Sequence, residues 1–144
     1  MSKKLFFLPV LIFAAFVMFT STSCGDKCDF EQKDFVGQYN VSEDCSASLP
    51  ASYNVTVTAD GETGLRLTNV WGLFTGAVTA SFDCETLTIS RQEPDSDGYF
   101  IEGSGIIEKS GGNITINMTY TVTDERVPGS ILTDICTSTV YTKL

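Results

Sequence analysis

Residues 99–122 read YFIEGSGIIEKSGGNITINMTYTV. Tyr99, Ile101, Gly103, Gly105 and Ile107 fall on one face of the first half. After Gly111-Gly112, the residues Ile114, Ile116, Met118, Tyr120 and Val122 do the same against Asn113, Thr115, Asn117, Thr119 and Thr121. A period of 2 sends alternate side chains to opposite faces, so each half reads as a strand with one apolar and one wet side. The glycine pair between them is a hairpin turn. The same alternation recurs on both sides of this hairpin. Tyr39 and Val41 lie opposite Gln38, Asn40 and Ser42, and Tyr53, Val55 and Val57 lie opposite Asn54, Thr56 and Thr58. Leu65 and Leu67, then Val78, Ala80 and Phe82, then Leu87 and Ile89 continue the pattern, and a last segment runs from about Ile131 to Tyr141.

About eight strands result, joined mostly by short links such as Asp60-Gly61, Asp83-Cys84 and Asp95-Ser96-Asp97-Gly98. Short links favour an antiparallel meander. A meander that is apolar on one face must bury that face, by closing into a barrel or by folding into a sandwich. Gly103 and Gly105, inside a strand on its inward face, permit the sharp coiling of a small barrel. The expectation is an all-β, eight-stranded antiparallel up-and-down barrel over residues 35–144, with a β-sandwich as the alternative.

The chain begins with Lys3 and Lys4, an apolar run from Leu5 to Phe19, and Thr20-Ser21-Thr22-Ser23 before Cys24. A basic head, an apolar segment and small residues at a cleavage site are the parts of a secretory signal. The apolar run is shorter than the roughly 20 residues that cross a bilayer. With the cysteine straight after the small residues, the segment resembles the signal of bacterial lipoproteins, in which cleavage just before a lipidated cysteine leaves an acyl anchor. The resemblance implies a signal over 1–23, lipidation at Cys24, a polar tether over 24–34, and an address in the cell envelope at the outer membrane. Exported proteins pair their thiols. With Cys24 acylated, Cys28, Cys45, Cys84 and Cys136 remain, and four cysteines allow three pairings. In a closed meander the first and last strands are antiparallel neighbours, so Cys45 at the end of one meets Cys136 near the start of the other. That leaves Cys28 with Cys84.

Taken with this meander, Phe35-Val36-Gly37-Gln38-Tyr39 resembles the opening of lipocalin-type barrels, whose first strand carries Gly-x-Trp. Here tyrosine stands for the tryptophan, and the family's last-strand arginine has no clear counterpart near Tyr141-Thr142-Lys143. The likeness is to the small lipocalin-like domains of bacterial lipoproteins. It implies the barrel and no particular ligand.

Loss of residues 1–23 leaves seven basic against eighteen acidic residues, a net charge of −11. Such a surface argues against nucleic acid, whose phosphates need clustered Lys and Arg. The chain contains no histidine, which removes the commonest general base and metal ligand. The pairs Glu43-Asp44 and Glu93 with Asp95 and Asp97 read as solvated surface. Asp95-Ser96-Asp97-Gly98 lacks the further ligands of a calcium loop and reads as a turn. No metal, no cofactor and no enzymatic activity are expected. The local anomaly is Asn69-Val70-Trp71-Gly72-Leu73-Phe74-Thr75-Gly76, where large aromatics occupy a connection that should be polar. It reads as a plug for one barrel end or as the rim of a pocket, with Trp71 and Phe74 above an interior lined by Tyr39, Tyr53, Tyr99 and Tyr120. The functional expectation is a non-enzymatic, lipid-anchored protein that holds a small apolar or amphipathic ligand. The alternative is a structural accessory that contacts an envelope protein or glycan.

Overall fold

The computed structural model describes residues 28–144. The signal segment and Cys24 lie outside the described residues. A short helix α1 (Gln32–Phe35) leads into β1 (Gly37–Cys45), β2 (Ala51–Asp60) and β3 (Gly64–Thr68). A 3-10 turn at Val70–Gly72 precedes β4 (Val78–Asp83), β5 (Thr86–Gln92), β6 (Tyr99–Ser110), β7 (Asn113–Val127) and β8 (Ser130–Lys143). The eight strands form one closed barrel in sequence order, each antiparallel to its neighbours, rather than a sandwich. Closure is made by β1 against β8, paired from Tyr39 with Lys143 to Cys45 with Cys136. The Cys45–Cys136 bond therefore sits on the last rung of the seam, where the two Cα atoms are 4.0 Å apart. Cys28 and Cys84 form the second bond, at a Cα separation of 4.7 Å.

The alternation in sequence becomes alternation in burial. Along β1, Tyr39, Val41, Glu43 and Cys45 face inward while Gln38, Asn40, Ser42 and Asp44 face water. Leu65, Leu67, Leu87, Ile89, Ile101, Ile107, Ile116 and Met118 fill the middle of the barrel and are no more than 2 % exposed. The inward glycines of β6 make room for neighbours from β7. A Cβ at Gly103 would overlap Tyr120, and one at Gly105 would overlap the Met118 sulfur. An eight-stranded barrel is just narrow enough for side chains to fill it, and these large side chains use that space.

The two ends differ. At one end, α1 and the residues before it seal the barrel. Gln32 Nε2 donates to the carbonyls of Gly61 (3.0 Å) and Gly64 (2.7 Å), and Lys143 Nζ donates to Asp34 O at 2.9 Å. Phe35 packs on Phe82 with tilted rings at 5.2 Å, and the Cys28–Cys84 bond ties the incoming chain to the β4–β5 turn. The polar segment is thus pinned from Cys28 onward, as the expected Cys28–Cys84 bond implies. The opposite end carries the β1–β2, β3–β4, β5–β6 and β7–β8 connections. There the β7–β8 hairpin continues past the last rung of β8 with β1, as far as the pairing of Val127 with Ser130.

Candidate ligand site at the open end

The β3–β4 connection is held in an unusual backbone shape. Asn69 and Trp71 have φ of 63° and 59°, and Gly72 follows at 62°. Asparagine tolerates the left-handed region, and a bulky tryptophan rarely enters it. Such outliers persist only where the surroundings over-determine them. Here Asn69 Nδ2 donates to Asn54 O at 2.8 Å, while Phe74 N–H and Gly72 N–H close turns onto Val70 O and Asn69 O. Val70 and Phe74 are buried and act as the plug. The same loop holds Trp71, partly buried, above them, against Phe74 (5.7 Å between ring centroids) and Tyr99 (5.8 Å). Val70 and Phe74 thus take the plug position, while Trp71 stands above them at the mouth.

Trp71 divides the mouth into two clefts. One, of about 200 Å³, is walled by Trp71, Tyr99, Val122 and Leu132, with Asp134, Asp124 and Ser48 as its polar groups. The other, of about 320 Å³, lies between Trp71, Tyr53, Leu49 and Leu73 and reaches Glu43. Gly72 passes over the Tyr53 ring, where an added Cβ would come within 3.2 Å of it.

Two carboxylates sit beneath these clefts, and the sequence reading did not single them out as site residues. Glu43, expected at the surface with Asp44, is 4 % exposed, and Asp134 is 7 % exposed. The physical reason is strand phase. Glu43 is two residues beyond Val41, and Asp134 is two before Cys136, so a period of 2 turns both inward. Glu43 accepts hydrogen bonds from Tyr53 Oη at 2.6 Å and from Tyr120 Oη. Burial raises its pKa above the ordinary carboxylate value; the Tyr53 hydrogen bond opposes the shift and the negative charge of Asp134 adds to it. Asp134 Oδ1 accepts from Ala47 N–H at 2.7 Å and from Ser46 Oγ at 3.3 Å. Burial pushes Asp134 up, but the Ala47 N–H, with Ser48, Ser46 and Trp71, brings it below the usual value. The pair is thus set apart, with Asp134 the more readily ionised. Asp134 Oδ2, Thr139 Oγ1 and Tyr141 Oη are buried without a hydrogen-bond partner.

Of the aromatic residues expected at a pocket, Trp71, Phe74, Tyr53, Tyr99 and Tyr120 gather at this end. Tyr39 does not. It lies near the start of β1, donates from its hydroxyl to Phe35 O at 2.7 Å, and packs on Tyr141 at 6.2 Å. Four residues of strand, at about 3.3 Å each, separate it from Glu43. The acidic turn is committed to structure. Asp95 accepts from Thr75 N–H at 3.0 Å, from Thr75 Oγ1 at 2.9 Å and from Gly76 N–H, and Asp97 accepts from Tyr99 N–H at 3.1 Å. Glu43, Cys45 and Cys136 also lie close together, but both sulfurs are joined in the seam bond, which leaves one carboxylate.

No protein-family model and no curated protein matches this chain. Its function is therefore argued from the geometry of the open end.

Proposed function

We propose that this protein is a lipid-anchored envelope lipoprotein whose lipocalin-like barrel binds a small amphipathic molecule and catalyses nothing. The site is the open end of the barrel, and the partly buried Trp71 between two clefts is the observation that carries the reading. Ligand sites are concave and mostly apolar, with a few placed polar groups, and this mouth has that composition. The packed middle of the barrel favours a shallow guest at the rim over one deep in the interior. Acylation of Cys24 would hold the domain at the outer membrane, since each buried methylene contributes about 0.8 kcal/mol.

Trp71 is the sole tryptophan of the chain, so its emission reports on the site directly. Titration with lipids, haem-like pigments and sugars should shift that emission saturably for one class. Saturable binding that leaves Trp71 emission unchanged would contradict the placement. Mass spectrometry of the native protein checks the anchor: the expected N-terminal residue is acylated Cys24, and an unmodified thiol there would remove the lipid from the reading.

A second reading rests on its own observation. Val127, Ile131, Leu132 and Ile135, on the protruding β7–β8 hairpin, are between 45 and 66 % exposed. An apolar hairpin of that kind suits contact with an envelope protein. A stable complex recovered from outer-membrane extracts, lost on Ile131→Ser with Leu132→Ser, would favour it.

A further inference from the structure

Buried carboxylates in proteins are almost always paired with a cation. At this open end they are not. Among the described residues, no ion pair includes Glu43 or Asp134. Arg126, whose partners Asp124 and Tyr99 line the cleft, is spent on them: its guanidinium binds Asp124 through two hydrogen bonds of 2.8 and 2.7 Å and lies 4.4 Å over the Tyr99 ring. Asp134 lines the apolar cleft and is more than nine-tenths buried, and the groups around its carboxylate, the Ala47 N–H with Ser46, Ser48 and Trp71, are all neutral. Two aromatic rings, Trp71 and Tyr99, in contact with each other at 5.8 Å between centroids, form one wall of the same cleft. Aromatic faces attract cations, most strongly where water is excluded.

We propose that the cleft takes an amphiphile bearing a single ammonium group, which docks beside the Asp134 carboxylate under the rim formed by Trp71 and Tyr99. Glu43 supplies a second negative charge behind it, and the apolar part of the guest lies against Val122 and Leu132. The inference rests on the binding role proposed above and assigns the class of its ligand. The other groups facing Glu43 are the hydroxyls of Tyr53 and Tyr120, which donate to it, and that of Tyr141, which feels its charge. None of these is a cation, so nothing in the described protein neutralises the pair.

The test uses the full chain in a non-ionic detergent and three probes of equal length: n-hexylammonium, n-hexanol and n-hexanoate. Trp71 emission gives the dissociation constants at neutral pH. The ammonium probe should bind at least tenfold more tightly than the alcohol, and the carboxylate should bind most weakly. Asp134→Asn keeps the Oδ1 acceptor for Ala47 N–H and should reduce the ammonium preference at least fivefold while leaving hexanol affinity within twofold. Glu43→Gln should reduce the preference by a smaller factor and guards against a folding defect in the first variant. Equal binding of ammonium and alcohol by the unmodified protein would overturn the ligand class and leave the binding role standing. No saturable binding of any of the three would overturn both. Retention of the full preference in both variants would overturn the assignment to Asp134 and Glu43.

Discussion

Replacing Cys45 and Cys136 together by alanine should leave a closed barrel that melts far more easily. The six rungs of β1 with β8 from Tyr39 to Asp44 remain when the bond on the seventh is removed, so the native seam persists. The main effect is on the unfolded chain. A cross-link spanning 91 residues removes loop-closure entropy worth about 4.6 kcal/mol at 25 °C on the chain-entropy model. Residues 28–144 as one cooperative unit should have a total stability of roughly 6–18 kcal/mol, so the loss is a large fraction of it. With an unfolding entropy of about 2.1 cal/mol/K per residue, the midpoint should fall by about 19 °C. The pair Cys28 and Cys84 spans 56 residues, for which the same relation gives about 4.2 kcal/mol and a fall of about 17 °C. Differential scanning calorimetry on a Cys24→Ser background, which keeps that thiol out of exchange, measures both. Near-UV circular dichroism below the transition checks that the barrel is intact. Two nearly equal falls are expected although one bond lies on the seam and the other at the sealed end. A loss under about 1 kcal/mol for the seam pair, with the fold retained, would refute the unfolded-state reasoning. Loss of the near-UV signal before heating would show that the bond, not the ladder, keeps the barrel shut.

Because burial raises Glu43 above its unfolded pKa, the stability linked to its proton is fully present below the unfolded value and is lost as pH rises through the folded one. Urea midpoints should therefore show Glu43→Gln gaining on the unmodified protein at neutral pH and losing that gain below about pH 4; a pH-independent difference would contradict the sign. Tyr120→Phe removes a hydroxyl that donates to Glu43 and should cost about 1–3 kcal/mol in the same assay, with a change below a few tenths arguing against the hydrogen bond. Gly105→Ala puts a Cβ into the Met118 sulfur and should cost about 1–3 kcal/mol; Met118→Ala added to it should relieve part of the overlap, and additive losses would show that the two positions do not touch.

The architecture was legible because every strand of this barrel repeats the same alternation, and the closing pair Cys45 and Cys136 followed from the order of a meander alone. The site was legible in part. Trp71 and Phe74 stood out because aromatic residues in a connection break its usual polarity. Their separate duties did not, since the turn that carries the positive φ of Trp71 is pinned by the bond of Asn69 to Asn54 on the neighbouring strand β2. Glu43 and Asp134 were hidden by composition. In so acidic a chain each carboxylate passes for solvated surface, although the phase of Tyr39 and Val41, and of Cys136, points both inward. Tyr39 faces the interior, as its phase implies, but lies far from Trp71, because periodicity tells which face a residue takes and leaves its depth along the strand unweighted.

Chemical-shift mapping by NMR during a titration with n-hexylammonium most directly tests where this barrel receives a guest. The Trp71 indole N–H and the backbone amides of Tyr99, Thr133 and Asp134 should move together along one saturation curve, while the amides of Tyr39 and α1 stay still. Shifts centred on α1 and the Cys28–Cys84 end, or spread over the outer wall with no saturation, would mean that the mouth beside Trp71 is not a binding site.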